Sequence, residues 1–405
     1  MKSLDGFNMG KQIIFLIKVM SGGGAERVVS LLSKAVAQKG MQVSLVLTHQ
    51  SLSEADLTNV DRRVKVVSLP DEVKTDIDPR LAAKIVMLWA RLIGKLPIKD
   101  CEEKSSILKY YSRNFKQIKW LKNYFKKNKK ATAVAFLYDS IFMTLLSADK
   151  SNKVIISERG DPCQSLSSKT TMAFLKTKIK EADDIVFQSP DVKKWYEENL
   201  GVSGTVIFNP IKDDLPEPYT GERKKRVVNF CRISDQKNLV VLVQAFAKFR
   251  EEFPNYELEI IGDPVGNGVE GYLQTVEAEI SRCKCEDSIR ILPSRKNIHE
   301  TIRDYAMFVS SSDYEGMSNS MLEAMAIGLP CVCTDCPAGG ARAVIKDGEN
   351  GLLVPIKDAE ALANAMKRVV SEEGLAQKLS HNAVKIREDQ SLEKITGKWM
   401  EIING

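Results

Sequence analysis

The densest concentration of chemically capable residues is one stretch, SSDYEGMSNSMLEAMAIGLP, where Glu315 and Glu323 stand eight residues apart around a glycine and small polar residues. Two glutamates at this spacing are weak evidence alone, because chance supplies such pairs in a long chain. Their setting is stronger. Glu315 closes a strand-like run, Gly316, Met317, Ser318 and Asn319 form a turn, and a helical pattern starts at Ser320. Free backbone N–H groups at such a helix start, with the positive end of its dipole, make an anion site. Glu323, in the first turns, is close enough to accept hydrogen bonds from ribose hydroxyls. An ordinary capped strand–helix connection is the plain alternative. Arg232 and Lys237, in CRISDQKNL, follow another strand-like run. A guanidinium fork and an ammonium point charge on one loop can converge on a diphosphate. Alone they would read as solvated cations; at the corresponding strand end of the same domain they do not.

A glycine cluster, Gly22, Gly23 and Gly24, follows the first strand-like run and opens the first helical pattern, so phosphate could approach bare backbone there. It is not a dinucleotide fingerprint. Arg27 stands where a third glycine or alanine is needed, and Thr48, His49 and Gln50 end the second strand without a clear acid. The phosphate loop GxxxxGK[ST] is absent as well. Cys333 and Cys336 have ligand-like spacing, but Cys283 and Cys285 make a poor second pair, and Cys331 and Cys333 read as small core residues on one face of a strand. His49, His299 and His381 are scattered and read as incidental.

The elements that must position these residues alternate strand and helix. In the first half, strands are expected over Gln12 to Met20, Met41 to Thr48, Val64 to Leu69, Ala133 to Tyr138, Val154 to Ser157 and Asp184 to Gln188. Pro210 to Glu222, with Pro216, Pro218 and Gly221, reads as a linker. The second half restarts with Arg226 to Cys231, a helix from about Leu239 to Glu252, and strands Tyr256 to Ile261, Ile289 to Leu292 and Ala306 to Ser310. A helix around Met321 to Ile327 and a strand over Leu329 to Thr334 follow. Such alternation implies parallel sheets with helices on both faces, hence an α/β protein of two tandem, Rossmann-like, doubly wound domains. The expected boundaries are 1–209, a linker at 210–222, a second domain at 223–385, and a C-terminal helix over 386–405 packing back on the first domain. Ligands of such sheets bind outside the carboxyl ends of the strands, where the candidate residues lie.

Composition bounds the classes. The chain has 405 residues, 43% hydrophobic and 28% charged, a globular mixture with room for two or three domains. The longest apolar candidate for a membrane span, Ala131 to Ser147, is broken by Asp139. The opening MKSLDGFNMG has no apolar signal core, and eight cysteines are too few for a disulfide framework, so a cytosolic, reduced protein is expected. Net charge is +6, yet residues 81–130 alone carry +11, leaving −5 elsewhere. There, Lys116, Lys119, Lys122, Lys126 and Lys130 recur at helical steps around Phe115, Ile118, Trp120, Leu121 and Phe125. This is a helix with a basic and an apolar face. The basic face is either solvated or drawn to anionic phospholipid headgroups; nucleic acid fits less well, because no zinc-finger, RNP or helix-turn-helix pattern accompanies it.

Arg232-xxxx-Lys237, IIGDP at 260–264, Asn297-Ile298, Glu315-x7-Glu323, GLP at 328–330 and DGENGLLVP at 347–355 occur in one order. With them the sequence resembles the retaining glycosyltransferases of family 4, which have the GT-B fold. GGGAER and SERGDP at 157–162 look like the amino-terminal half of its bacterial surface-polysaccharide branch, which makes capsule or O-antigen chains. The resemblance covers nearly the whole chain and is weakest between Ser51 and Lys130, where acceptor recognition is expected.

The resemblance implies two domains facing a cleft, with a nucleotide sugar on the second. Arg232 and Lys237 would hold the diphosphate with the amides of Gly316, Met317, Ser318 and Asn319, and Glu323 the ribose. The base would stack near Gly262 against the backbone of Arg295, Lys296 and Asn297. Glu315 would touch sugar hydroxyls, and Gly23 and Gly24 would close over the reaction centre. Glu158 and Arg159 stand where many members carry a histidine, and either could position the sugar or acceptor. Cys231 replaces a usual glycine and Ala343 a usual acid. The implied activity is retaining, metal-independent transfer of a hexose or N-acetylhexosamine from a UDP-sugar, without other cofactor, to a lipid-linked or polysaccharide acceptor at the anionic inner membrane face. A nucleotide-sugar epimerase, a phosphorylase on the same fold and a non-catalytic glycan-binding relative are the alternatives. An epimerase should show more histidines and acids near the cleft, a phosphorylase a cofactor lysine, and a decayed relative the loss of residues such as Arg232 and Glu323.

Overall fold

The computed structural model describes residues 11–50, 52, 55–70, 110–111, 113–264 and 269–405. The chain divides into two compact units, one formed by residues 1–210 with 395–405 and the other by 211–394. Each contains one sheet, and every strand pairing in both is parallel.

In unit 1 the strands are β1 (Gln12–Ile17), β2 (Gln42–Leu47), β3 (Lys65–Ser68), β4 (Thr132–Phe136), β5 (Lys153–Ser157), β6 (Asp184–Phe187) and β7 (Thr205–Val206). Their order across the sheet is β3-β2-β1-β4-β5-β6-β7. Near-continuous apolar runs such as QIIFLI are what a strand covered on both faces requires. The helix Pro190–Leu200 shows how local signals set boundaries. Ser189 caps its first turn by accepting from the Val192 N–H, Pro190 occupies the first helical position, and Gly201 ends it in the left-handed region. The apolar stretch 131–147 is not one span: it is β4 and then the helix Tyr138–Ser147, parted at Leu137, whose φ is +67°. No described helix is long and apolar enough to cross a membrane.

Unit 2 contains β8 (Lys224–Phe230), β9 (Glu257–Ile261), β10 (Ile289–Leu292), β11 (Tyr305–Ser310), β12 (Cys331–Thr334) and β13 (Leu352–Val354), in the order β10-β9-β8-β11-β12-β13. Leu242, Phe246 and Phe249 of the helix Leu239–Arg250 fill its core against Val227, Leu258, Ile260 and Met307. Both sheets therefore have the doubly wound order, which reverses between β1 and β4 in unit 1 and between β8 and β11 in unit 2.

Two stretches depart from a simple split. Residues 211–222 lie within unit 2, with Ile211 and Leu215 buried and Ile211 bridged to Ser391. The helix Leu392–Asn404 gives its residues from Ile395 onward to unit 1, where Ile395, Trp399, Met400 and Ile403 sit in the core with Phe15 and Phe136.

The basic helix is Phe115–Lys127, and the charged residues from 81 to 109 lie outside the described residues. Ile118, Leu121 and Phe125 are buried, while Lys116, Lys119 and Lys126 are exposed. The apolar stripe sits differently from the sequence reading at its start: Phe115 is 40% exposed and Gln117 is buried. Phe115 is the first helical residue, where the stripe turns away from the core, and its ring packs on Tyr111 instead.

Candidate functional site

In unit 2 the order of strands reverses between β8 and β11, and the connections leaving those two strands are tied together. From β8 run Cys231, Arg232 and a single 3₁₀ turn, Asp235–Lys237. From β11 run Ser311, Ser312, Asp313, Tyr314 and Glu315, leading to the helix Asn319–Ala326. Asp313 N–H donates to the Gln236 carbonyl at 3.0 Å, Gln236 Nε2 to the Tyr314 carbonyl at 2.8 Å, and Asn238 Nδ2 to Asp313 Oδ1 at 2.7 Å. Ser311 Oγ donates to the Lys237 carbonyl at 2.9 Å. These bonds fix the two loops as one unit.

Lys237 Nζ is paired with Glu315 Oε1, and both side chains are mostly buried. Ser312 Oγ donates to the same carboxylate oxygen at 3.1 Å. Burial works against the Lys237 charge, but the Glu315 carboxylate beside it outweighs burial, so its pKa stands above the ordinary lysine value. The ammonium is therefore charged at neutral pH. It has three N–H donors, of which Glu315 engages one, so it is oriented and still able to meet an anion. Arg232, on the same loop, is exposed. The spacing of Lys237 and Glu315 in sequence gave no hint of this pairing, since 78 residues separate them.

The turn Gly316 to Asn319 ends at a capped helix start, with Ser318 Oγ accepting from the Met321 N–H. Its course is fixed by close backbone contact. A Cβ on Gly340 would lie 1.7 Å from the Gly316 carbonyl oxygen, so only glycine fits there. Gly262 obeys the same constraint: a Cβ would lie 1.7 Å from the Cys231 carbonyl oxygen, which brings the end of β9 against the loop bearing Arg232. Cys231 is thus a packed residue, its thiol pushed up to about 12 by burial and too weakly acidic to act as a thiolate.

Arg295, Lys296 and Asn297 follow β10 and are exposed, with Asn297 in the left-handed region at φ 58°. Beside them Asp263 accepts from Ser294, through its N–H and its hydroxyl, and those bonds hold its pKa below the ordinary aspartate value. Glu323 is buried and bonded to His299, Nε2 to Oε2 at 2.9 Å. The reading of His299 as incidental is therefore corrected. A lone histidine has no spacing signal, and this contact exists only because two successive connections fold against each other.

Glu158 and Arg159 are both buried at the end of β5 in unit 1. Glu158 Oε1 accepts from the N–H groups of Arg159 and Gly160 at 3.0 and 2.8 Å, and Oε2 from the Tyr196 hydroxyl at 3.3 Å. Burial raises its pKa, against those hydrogen bonds. Arg159 donates to Ser157 Oγ, the Ile207 carbonyl and Asn209 Oδ1, and lies over the Phe136 and Trp399 rings. Burial brings its pKa down to about 9. Each is thus engaged in holding unit 1 together.

The glycine loop, also in unit 1, is organised by Glu26, whose Oε2 accepts from the N–H groups of Ser21 and Gly23 at 2.6 and 2.7 Å. Lys18 and Asp139, which follow β1 and β4, pair across the reversal point of that sheet at 2.8 Å. Cys331 and Cys333 are buried strand residues, and among the described residues no three His, Cys, Asp or Glu side chains converge as a metal site.

Residues 212–386 match the family model of the glycosyl transferases group 1. Over 97% of this chain and 98% of the relative, the sequence is 24% identical to a GalNAc-α-(1→4)-GalNAc-α-(1→3)-diNAcBac-PP-undecaprenol α-1,4-N-acetyl-D-galactosaminyltransferase of Campylobacter jejuni. It is 25% identical, over 78% of its length, to a poly(glycerol-phosphate) α-glucosyltransferase of Bacillus subtilis. An exopolysaccharide phosphotransferase of Streptomyces coelicolor is 30% identical over 54% of this chain. The chain spans 46% of the Bacillus protein and 23% of the Streptomyces one. Among solved structures, TarM superposes with a TM-score of 0.76 at 14% identity, covering 99% of this chain and all of that one. Anabaena HepE in complex with UDP and glucose superposes at 0.72 with 16% identity, covering 97% of this chain and 99% of its own. The fold is GT-B, unit 2 carries the group 1 match, and family match, relatives and fold together support a GT-B glycosyltransferase.

Proposed function

We propose that this chain is a retaining hexosyltransferase that takes a hexose or N-acetylhexosamine from a UDP-sugar and adds it to a lipid-linked or polysaccharide acceptor in bacterial cell-surface glycan synthesis. The observation that carries the reading is the Lys237–Glu315 pair, set beside a capped helix start where the order of the unit 2 sheet reverses. A charged, oriented ammonium, an exposed guanidinium and the positive end of a helix dipole form a cluster of positive potential suited to a diphosphate. In the transfer, the bond between the anomeric carbon and the β-phosphate oxygen breaks, and UDP leaves with the electron pair. The acceptor hydroxyl oxygen bonds to the same carbon from the same face, and its proton passes to the departing phosphate. Charge growing on that phosphate meets Lys237 and Arg232, which is how the site lowers the barrier without a metal ion.

The acceptor is proposed to be lipid-linked because of the Phe115–Lys127 helix. Exposed Lys116, Lys119 and Lys126, with partly exposed Lys122, form a basic face suited to the anionic inner face of a membrane, to which the protein would bind peripherally. The test is thermal stability in the presence of UDP, GDP, ADP and NAD, each with and without a chelator. A ligand that binds only the native state raises the melting temperature. Stabilisation by UDP alone, unchanged by the chelator, supports the reading; stabilisation by GDP or ADP changes the donor; no response to any nucleotide overturns it.

A further inference from the structure

Side chains from two successive connections of unit 2 meet beside the end of β8. His299 lies in the short helix Ile298–Ile302 that follows β10, and Glu323 in the helix that follows β11. His299 Nε2 and Glu323 Oε2 are 2.9 Å apart, and both residues are more than nine-tenths buried. The imidazole stands edge-on to Phe230, the last residue of β8, at 5.7 Å and 88°, and Phe230 in turn packs on Phe308 of β11 at 5.1 Å. The ring is thus fixed by aromatic packing as well as by its hydrogen bond. A buried carboxylate is costly without donors, and one that must recognise hydroxyl groups also needs a set direction.

We infer that His299 is a positioning residue for nucleotide recognition: it holds one oxygen of Glu323 so that the carboxylate is already directed when the ribose of a nucleoside diphosphate reaches it. The inference rests on the proposed reading that Glu323 receives the ribose. It extends that reading to a residue proposed to act through Glu323 rather than by contact with the ligand. Its neighbour Asn297 starts the same short helix, so the histidine also ties the loop proposed to face the base to the carboxylate proposed to face the sugar ring.

The experiment compares the affinity of UDP with that of 2′,3′-dideoxy-UDP, which lacks both ribose hydroxyls, by calorimetry. Wild type, His299→Leu and His299→Gln are measured. Wild type is expected to prefer UDP by about tenfold or more, the size of a hydrogen bond to a charged group. In His299→Leu that preference should fall to about twofold or less, with affinity for the dideoxy ligand unchanged, and His299→Gln, which keeps an N–H donor, should restore it. Equal weakening of both ligands would show a merely structural role and overturn the inference, as would a full preference retained in His299→Leu. If wild type binds both ligands equally, Glu323 does not receive the ribose, and the reading beneath the inference fails first. Should His299→Leu not fold, the pair Glu323→Gln and Glu323→Gln/His299→Leu serves, because the neutral amide no longer leaves a buried charge without its donor. The double variant should lose no more preference than the single one, and a further loss would overturn the inference.

Discussion

The two sheets reverse strand order in the same way, yet their reversal points are built differently. In unit 2 the connections from β8 and β11 meet through a mostly buried Lys237–Glu315 pair, with Ser312 on the same carboxylate and four further hydrogen bonds between the loops. In unit 1 the corresponding connections meet through Lys18 and Asp139, whose side chains are 46% and 43% exposed. The first arrangement gives an ammonium with a set direction in a partly dry place, where its field on a neighbouring anion is strong. The second is screened by water and holds little. The shared reversal of strand order thus supplies a location in each unit, and burial sets the two locations apart as places for charge-dependent chemistry.

Breaking the buried pair should have the largest effect. Lys237→Ala is expected to lower the rate of sugar transfer by about a hundred- to thousandfold at unchanged fold, and Glu315→Ala similarly, measured as UDP released at equal protein concentration. Wild-type rates from either would remove the contrast between the two reversal points. If unit 1 is the acceptor side, its contribution should be of another kind. Neutralising Lys119, Lys122 and Lys126 to glutamine should weaken binding to anionic vesicles by about a hundredfold, at about 1 kcal/mol per basic residue, in a sedimentation assay. Unchanged binding leaves a solvated face.

Gly262→Ala should destabilise unit 2 by about 1–3 kcal/mol, because its new methyl group meets backbone, whereas Gly23→Ala should cost less. The nearest atoms to a Cβ on Gly23 belong to the Glu26 carboxylate, at 2.9 Å, and a side chain can move. Denaturant midpoints of the two variants check this. Glu158 gives a pH signature confined to unit 1. Its folded-state pKa is raised, so its protonated form is the one that folding favours. That contribution is present below the unfolded pKa and is lost as pH rises through the folded one. Relative to Glu158→Gln, wild type should therefore lose stability as pH increases from about 4.5, the ordinary glutamate value, toward neutrality. A difference in melting temperature that is flat with pH would refute it. Smallest of all, Lys18→Ala should change stability by less than about 1 kcal/mol.

Much of this layout was legible in the sequence, for reasons visible in particular residues. Continuous apolar runs between polar connections located β10 to the residue and most other strands to within one to three residues at each end. β7 was not legible, because two residues carry no pattern. Of the candidate site, the EGMSNS turn and CRISDQKNL loop were readable because their residue types are unusual together. The contacts that make them one site were not, since Gln236–Tyr314, Ser311–Lys237 and His299–Glu323 depend on two connections packing together. Glu158 and Arg159 show a further gap: their types suggested chemistry, but nothing in the sequence marked their burial or their hydrogen bonds to Tyr196, Ser157 and Asn209.

The return of residues 395–405 to unit 1 sets an order of events during synthesis. Trp399 and Ile403 complete the core around Phe136, and Trp399 also faces the Arg159 guanidinium. All of unit 2 lies between these residues and the rest of unit 1. Unit 2 is one continuous segment, whereas the core of unit 1, though made first, is complete only with the helix Leu392–Asn404. Unit 1 is therefore expected to be completed after unit 2, the reverse of the usual amino-terminal-first order, and pulse proteolysis of stalled chains would check it. A chain cut short near residue 394 would hold all of unit 2 and lack the part of unit 1 that supplies Trp399 and Ile403.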